Sequence, residues 1–302
     1  MTDNDAYQLD KNQIRRAFDR AADQYDDVAV LQHEIGQRMI ERLELIRIQP
    51  QLIIDIGCGT GHTTLKLSQR YPQSQLITLD LSQQMLLKTR QQQSFWQRWK
   101  KPFACINGDA ETLPLASNSV DLIFSNLAIQ WCCDLDSAFK EFHRILKPGG
   151  LLLFSTFGPD TLKELRHCWQ GIDHYNHVNA FIDMHDIGDA LLRVGMSDPV
   201  MDMDMMTLTY QNAKKLMQEL KAIGAHNVSA GRSRGLTGKT QLKQFYAAYE
   251  QFRNQDGRLP ASYEIIYGHA WALEHPPQHH NDGEVHIPLN QITHGESKQG
   301  KH

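Results

Sequence analysis

From residue 50 onward, the pattern of hydrophobic and polar positions predicts strands and helices in alternation. A short apolar, β-branched run at 52–56 has apolar residues on both faces, which is typical of a strand buried in a parallel sheet. Further strands are predicted at 75–79, 103–107, 120–125 and 151–156. Amphipathic stretches that predict the intervening helices lie at 63–70, 82–93 and 135–146. This alternation predicts right-handed crossovers and an α/β fold with a doubly wound, mostly parallel sheet. Strand-like runs at 200–210 and 262–272 bring the expected sheet to seven strands.

Two groups of helices are expected outside this Rossmann-like core, which we assign to residues 47–210 and the last strand at 259–273. Residues 1–46 contain an amphipathic stretch at 11–25 and a second helical stretch at 30–45. The first is interpreted either as a lid over a ligand or as packing against the core. Residues 211–258 predict a helical insertion before the last strand. The polar segment 274–302 is expected to be disordered.

The most informative stretch follows the first strand and reads Asp55-Ile56-Gly57-Cys58-Gly59-Thr60-Gly61. Its glycines let the backbone turn sharply and approach a ligand closely. Ligands of doubly wound sheets bind at the carboxyl ends of such strands. A dinucleotide fingerprint needs a different spacing, and His62 stands where its third glycine would fall. A nicotinamide-binding loop and a purely structural turn are the alternatives.

Acidic residues near this loop indicate the kind of ligand. Asp80 follows the second strand, where a carboxylate can accept both ribose hydroxyls. The glycine loop contains no lysine or arginine to meet a pyrophosphate. A nucleoside that carries a positive charge fits such a site, and S-adenosylmethionine is one. The stretch from Asp55 to Gly61 closely resembles motif I of the class I methyltransferases, which implies an S-adenosylmethionine site.

Further candidates follow later strands at the same edge. Asp109 could accept the adenine amino group or belong to a plain turn, and Met85 is either core or the apolar wall of the adenine site. The loop from Asn126 to Trp131 should lie over the methyl-donating end, and Tyr25 would close the site. Tyr25, Asn126 and Gln130 are candidates for positioning. The predicted cofactor-binding residues are Asp55, Gly57, Cys58, Gly59, Gly61, Asp80, Leu81, Met85, Asp109, Ala110 and Asn126.

Several longer phrases narrow the resemblance to one family, the malonyl-acyl-carrier-protein O-methyltransferases of biotin synthesis. The match covers about residues 11 to 272. It rests on Phe18-Asp19-Arg20-Ala21-Ala22-Asp23-Gln24-Tyr25-Asp26, Asn126-Leu127-Ala128-Ile129-Gln130-Trp131-Cys132, Ser155-Thr156-Phe157-Gly158, Leu220-Lys221-Ala222-Ile223-Gly224-Ala225-His226-Asn227 and Gly231-Arg232-Ser233-Arg234-Gly235-Leu236-Thr237-Gly238. The resemblance implies methyl esterification of the free malonyl carboxylate. The alternatives are methylation of another small carboxylic acid or a quinone precursor, and a fold relative that acts as an assembly factor.

Charge is distributed unevenly along the chain. The whole chain carries 31 basic and 35 acidic residues, a net charge of −4. Residues 211–258 contain nine basic and three acidic residues, a net +6, so the remainder carries −10. This favours an acidic partner such as an acyl carrier protein. The alternatives are a solvated helix face or nucleic acid, although the segment lacks the interleaved aromatic residues of a single-strand binder. Lys221, Arg232 and Arg234 are the candidates for substrate binding.

Other features of the sequence indicate the expected cellular compartment, membrane association and metal binding. Five unevenly spread cysteines do not suggest a disulfide framework, so we expect a reducing cytosol. The longest apolar runs are of strand length, and residues 1–13 carry no apolar signal region, so no membrane association is expected. The histidines after residue 274 are interpreted as a surface cluster, and no metal site is predicted. We expect a monomer.

Overall fold

The computed structural model describes residues 9–225 and 238–273. Seven strands form one sheet in the order β3-β2-β1-β4-β5-β7-β6. Their bounds are β1 Leu52–Ile56, β2 Gln75–Asp80, β3 Ala104–Asn107, β4 Val120–Asn126, β5 Leu146–Phe157, β6 Met196–Tyr210 and β7 Leu259–Ala272. The first five strands run parallel, whereas β7 is antiparallel to both β5 and β6. The predicted doubly wound, mostly parallel sheet of seven strands is confirmed.

The helices account for most of the remaining described chain. They are α1 Lys11–Ala21, α2 Tyr25–Val28, α3 Val30–Arg42, α4 His62–Arg70, α5 Gln83–Gln92, α6 Phe95–Lys100, α7 Leu135–Ile145, α8 Lys163–Gln170, α9 Met184–Arg193, α10 Ala213–Ala222 and α11 Lys239–Tyr249. Two short 3₁₀ turns span Ile129–Trp131 and Glu250–Phe252. No helix within 9–225 or 238–273 is long and apolar enough to cross a membrane.

Helices cover both faces of the sheet, as the apolar strands require. On one face, Ile35 of α3, Leu165 of α8 and Phe245 of α11 belong to one buried cluster. On the other face, Phe139 and Phe142 of α7 pack in a second cluster with the helix α9. This layering leaves the carboxyl ends of β1, β2, β3 and β4 side by side at one edge of the core.

The N-terminal helices differ from the sequence prediction. One helix was expected over 11–25, but α1 ends at Ala21 and Tyr25 begins the separate helix α2. Asp26 and Asp27 lie in the first turn of α2, where acids favour a helix start. As a result, Tyr25 lies at a corner between two helices. The helix α6 was not predicted, and the expected disordered tail lies outside the described residues.

Candidate cofactor and substrate site

The glycine loop between β1 and α4 adopts a backbone that favours glycine. Gly57 and Gly59 have φ values of +71° and +56°. A Cβ atom at Gly57 would lie 2.2 Å from the Ala128 Cβ, so the loop after β4 packs directly on this position. At Gly59, the nearest atom to such a Cβ would be the Tyr25 Cε1 at 4.0 Å. Gly59 therefore faces open space under Tyr25, and a ligand can approach its backbone.

Asp80, at the end of β2, holds the glycine loop and the start of α5 together. Its Oδ2 accepts a hydrogen bond from the Gly59 amide at 2.9 Å, and its Oδ1 accepts one from the Ser82 amide at 2.8 Å. Burial raises the pKa of Asp80 to about 6. A carboxylate oxygen can accept more than one hydrogen bond. Asp80 can therefore hold the loop and still receive hydroxyl donors from a ligand in the cleft.

Three other predicted cofactor residues, Asp55, Cys58 and Gly61, do not line the main cleft and instead stabilise the loop through contacts within the protein. Asp55 is buried, and its Oδ2 accepts a hydrogen bond from the Thr64 Oγ1 at 2.5 Å. Burial raises the pKa of Asp55 to about 7. The Cys58 Sγ lies 3.5 Å from the Thr89 Oγ1, and a Cβ at Gly61 would come within 2.9 Å of the Thr89 Cα. Asp55 and Cys58 line a small cavity beside the main cleft, whereas Gly61 packs against α5.

After β2 and β3, apolar side chains and one carboxylate line the cleft together. Leu81, Met85 and Ala110 line the main cleft, and Met85 is buried. Asp109 also lines the cleft, and its Oδ1 accepts hydrogen bonds from the Lys11 Nζ at 2.8 Å and from the Glu111 amide at 3.1 Å. A planar apolar ring with a polar edge fits between such a wall and the free carboxylate oxygen of Asp109.

The turn after β4 holds two amide side chains in fixed orientations. The Asn126 Oδ1 accepts a hydrogen bond from the Ser155 Oγ at 2.9 Å, and its Nδ2 donates to the Gln32 carbonyl at 3.0 Å. The Gln130 Nε2 donates to the Leu127 carbonyl at 2.7 Å. Both side chains line the main cleft. Because their partners are internal, they can direct a ligand without rearranging.

The N-terminal helices cover this cleft and are fastened to its rim. The Asp19 Oδ1 accepts a hydrogen bond from the Ser82 Oγ at 2.7 Å, and the Asp26 Oδ1 accepts one from the Thr60 Oγ1 at 2.6 Å. Tyr25 lines the cleft, and burial together with the charges of Asp80 and Asp26 raises the pKa of its hydroxyl. Tyr25 therefore stays protonated near neutrality and can donate a hydrogen bond.

Some contributors to the site had no clear signal in the sequence. The Lys11 Nζ forms ion pairs with Asp109 at 2.8 Å and with Glu111 at 2.9 Å. The backbone carbonyl of Gln32 accepts a hydrogen bond from the side-chain amide of Asn126. The rings of His33 and His62 stack with centroids 3.9 Å apart, which joins α3 to the start of α4. Gly36 offered a weak signal, as a glycine inside a helix. A Cβ there would lie 2.5 Å from the Thr63 Oγ1, so glycine permits this close packing.

A larger groove adjoins the main cleft and shares part of its lining. The cleft measures about 110 Å³ and the groove about 1060 Å³. Residues that line both are Gln32, Trp131, Phe157, Ile223 and Ala225. Lys221 lines the groove and is exposed to solvent. The two other predicted substrate residues, Arg232 and Arg234, lie outside the described residues.

Comparisons with known proteins agree on the type of fold. Residues 54–154 match the family model described as "Methyltransferase domain". A methyltransferase from Haloferax volcanii, solved with its Trm112 activator, covers 88% of this chain and all of its own, with a TM-score of 0.58 and 17% identity. The YcgJ protein from Bacillus subtilis covers 80% of this chain and all of its own, with a TM-score of 0.55 and 20% identity. At these identities the similarity shows the fold alone.

Sequence relatives are much closer. A malonyl-[acyl-carrier protein] O-methyltransferase from Methylovorus sp. is 54% identical over 88% of this chain and 90% of its own length. The enzyme of the same name from Gallionella capsiferriformans is 49% identical over 92% of this chain and 96% of its own length. At such identity over nearly the full length of both proteins, the chain belongs to the family of malonyl-[acyl-carrier protein] O-methyltransferases.

Proposed function

We propose that this protein transfers a methyl group from S-adenosylmethionine to the free carboxylate of a malonyl thioester carried by an acyl carrier protein. The observation that carries the proposal is that the cleft and the groove share lining residues beside the turn that contains Asn126 and Gln130. One compartment has the shape and chemistry for a nucleoside, and the other has room for an acyl group on a long arm. The names of the relatives support the same substrate.

The residues of the cleft fit S-adenosylmethionine. Asp80 would accept the ribose hydroxyls, Met85 would cover one face of the adenine, and Asp109 would accept its amino group. Gly57 and Gly59 leave room for the amino-acid part beside the backbone. Lys11 is the one cation among the described residues that line the cleft, and Asp109 and Glu111 neutralise it. A positively charged sulfonium therefore meets no free positive charge in this part of the molecule.

The proposed reaction does not need a general base. A carboxylic acid has a reference pKa of about 4, so the malonyl group is already ionised near neutrality. The cofactor supplies a sulfonium-activated methyl group. Among the described residues that line the main cleft there is no histidine. What the chain provides is orientation, which can contribute roughly 7–11 kcal/mol to lowering a barrier.

We assign the orientation of the carboxylate to neutral donors around the turn after β4. The side chains of Asn126 and Gln130 are held by internal partners, and the Tyr25 hydroxyl has no hydrogen-bond partner among the described residues. Phe18 packs edge-on against Trp131, with ring centroids 5.3 Å apart, and helps to exclude water from this end. Lys221, Arg232 and Arg234 remain candidates for a cation near the substrate.

The charge of the insertion supports a protein carrier rather than a small free acid. Lys239 and Lys243 lie four residues apart on α11 and are exposed, and neither forms an ion pair within the described residues. Their spacing from Leu242 and Tyr246, which line the groove, places all four residues on one side of α11. An acidic carrier would be attracted to this side of the molecule. The malonyl methyl ester would then prime pimeloyl synthesis for biotin, and five free thiols suit a reducing compartment such as the cytosol.

The direct test is mass spectrometry of malonyl-acyl-carrier protein after incubation with the protein and S-adenosylmethionine. We expect a mass gain of one CH₂ unit that disappears when the acyl group is released from the thioester, which places the methyl group on the malonyl unit. A reaction without S-adenosylmethionine controls for other modifications, and malonyl-coenzyme A tests the alternative carrier. Unchanged mass of the carrier, with methylation of coenzyme A thioesters or free acids instead, would contradict the proposed substrate.

A further inference from the structure

One face of α10 forms a wall of the groove. Lys214, Met217, Gln218 and Lys221 all line the groove and recur at three- and four-residue spacing, which places them on one side of a helix. Just beyond the helix, Ile223 and Ala225 line both the groove and the cofactor cleft. The direction along α10 from Lys214 to Ile223 is therefore the direction into the reaction site.

The described lining of the groove is largely uncharged apart from a few exposed cations. Its described lining contains three Arg or Lys side chains, Arg20, Lys214 and Lys221, which are exposed and form no ion pair with any described residue. Glu219 is the one acid in that lining, and it accepts a hydrogen bond from the Tyr210 hydroxyl at 2.7 Å. Such a groove suits a ligand with a neutral body and an anionic group toward its outer end.

The length of the wall identifies the ligand more closely. Ile223 lies nine positions after Lys214, which corresponds to about 14 Å along the helix. An acyl carrier protein presents its acyl group on a phosphopantetheine arm, which has two amide units, a terminal thioester and a phosphate at the other end. The arm is as long as about four extended residues, and four residues span about 14 Å. An extended arm therefore matches the distance from Lys214 to the cleft.

We propose that this groove binds the phosphopantetheine arm, with the thioester near Ile223 and Ala225 and the phosphate at Lys214. The inference rests on the proposed function, since it assumes a malonyl thioester as substrate. Gln24 and Gln218 are exposed amides in the lining and can bind the two amide groups of the arm. Lys221 lies only two residues before Ile223, so it is placed along the arm rather than at its phosphate end.

The test compares two small substrates that differ only at the phosphate, malonyl-phosphopantetheine and malonyl-pantetheine. The full-length protein should methylate the phosphorylated compound with about tenfold higher kcat/KM, because a charge-assisted contact is lost without the phosphate. In Lys214→Ala this preference should disappear while kcat/KM for malonyl-pantetheine stays unchanged. Lys215→Ala is the matched control, since Lys215 is exposed on the same helix but does not line the groove. It should keep the preference of the parent.

The possible outcomes distinguish the assignment of the phosphate to Lys214 from the proposed function. Equal rates for the two substrates in the parent, or a preference that survives in Lys214→Ala, would overturn the assignment of the phosphate to Lys214. Loss of the preference in Lys215→Ala as well would also overturn it, because the effect would then be general to the charge of the helix. Failure of the parent to methylate either compound or malonyl-acyl-carrier protein would instead contradict the proposed function itself.

Discussion

The cofactor cleft and the adjoining groove are built in different ways. The cleft is made from four neighbouring strand ends, and hydrogen bonds such as that from Gly59 to Asp80 fix its backbone. The groove is assembled from α1, α8, α10, α11 and the loop after α8, which are far apart in sequence. Its lining includes exposed cations without ion pairs in the described chain. The cleft therefore depends on the placement of its backbone, whereas the groove depends on charge and length.

The largest expected effect comes from filling the cleft at Gly59. Gly59→Val should abolish S-adenosylmethionine binding in calorimetry, because the side chain would occupy the space under Tyr25. Gly61→Val is the matched control, since Gly61 also has a positive φ, of +85°, but faces Thr89. It should lower the melting temperature more than Gly59→Val does. Parent-like affinity in Gly59→Val would show that the cofactor does not approach this loop.

A smaller effect is expected from neutralising Asp80. Asp80→Asn should weaken S-adenosylmethionine binding about 10- to 100-fold, because a hydrogen bond to a charged group is worth about 1.5–3 kcal/mol. The ionised carboxylate is the form that accepts the ribose hydroxyls, and its pKa in the fold is about 6. Parent affinity should therefore rise as pH increases from 5 to 7 and then level off. Calorimetry across this range should show a flatter profile for Asp80→Asn. Identical pH profiles for the two proteins would remove Asp80 from the binding site.

The smallest effect should come from the groove side. Replacing Lys239 and Lys243 together by Glu should raise the KM for malonyl-acyl-carrier protein a few-fold at low salt, because steered association depends on charge. At high salt the difference should vanish, and S-adenosylmethionine affinity should stay unchanged at all salt concentrations. The same reversal of Arg234, which lies outside the described residues, is expected to add to the effect.

Lys140→Glu serves as the control for this charge reversal, since Lys140 is exposed on α7 and does not line the groove. It should leave the KM for the carrier near that of the parent. If Lys140→Glu and the double variant behave alike, net charge rather than the insertion governs the association.

Local signals in the sequence were sufficient to predict the succession of strands along the chain and the glycine loop. Gly57, Asp80 and Asp109 each lie at or just after the end of a predicted strand, so their shared edge could be predicted before their contacts were known. The corner at Tyr25 was not predicted, because the apolar stripe continues across the break between α1 and α2. The pairing of Lys11 with Asp109 joins residues 98 positions apart, and no local pattern encodes such a contact. The same holds for the groove, whose walls meet only in the folded chain.

The fastening of the N-terminal helices has a consequence for the end of the catalytic cycle. Three hydrogen bonds act as ties between these helices and the rim of the cleft: Lys11 to Asp109, Asp19 to Ser82 and Asp26 to Thr60. In that order, the ties lie at the adenine, ribose and amino-acid ends of the proposed cofactor site. None of them involves the position of the transferred methyl group. The demethylated product, S-adenosylhomocysteine, would therefore leave all three ties intact. We expect the release of this product, which requires them to open, to limit turnover and to make the enzyme sensitive to product inhibition.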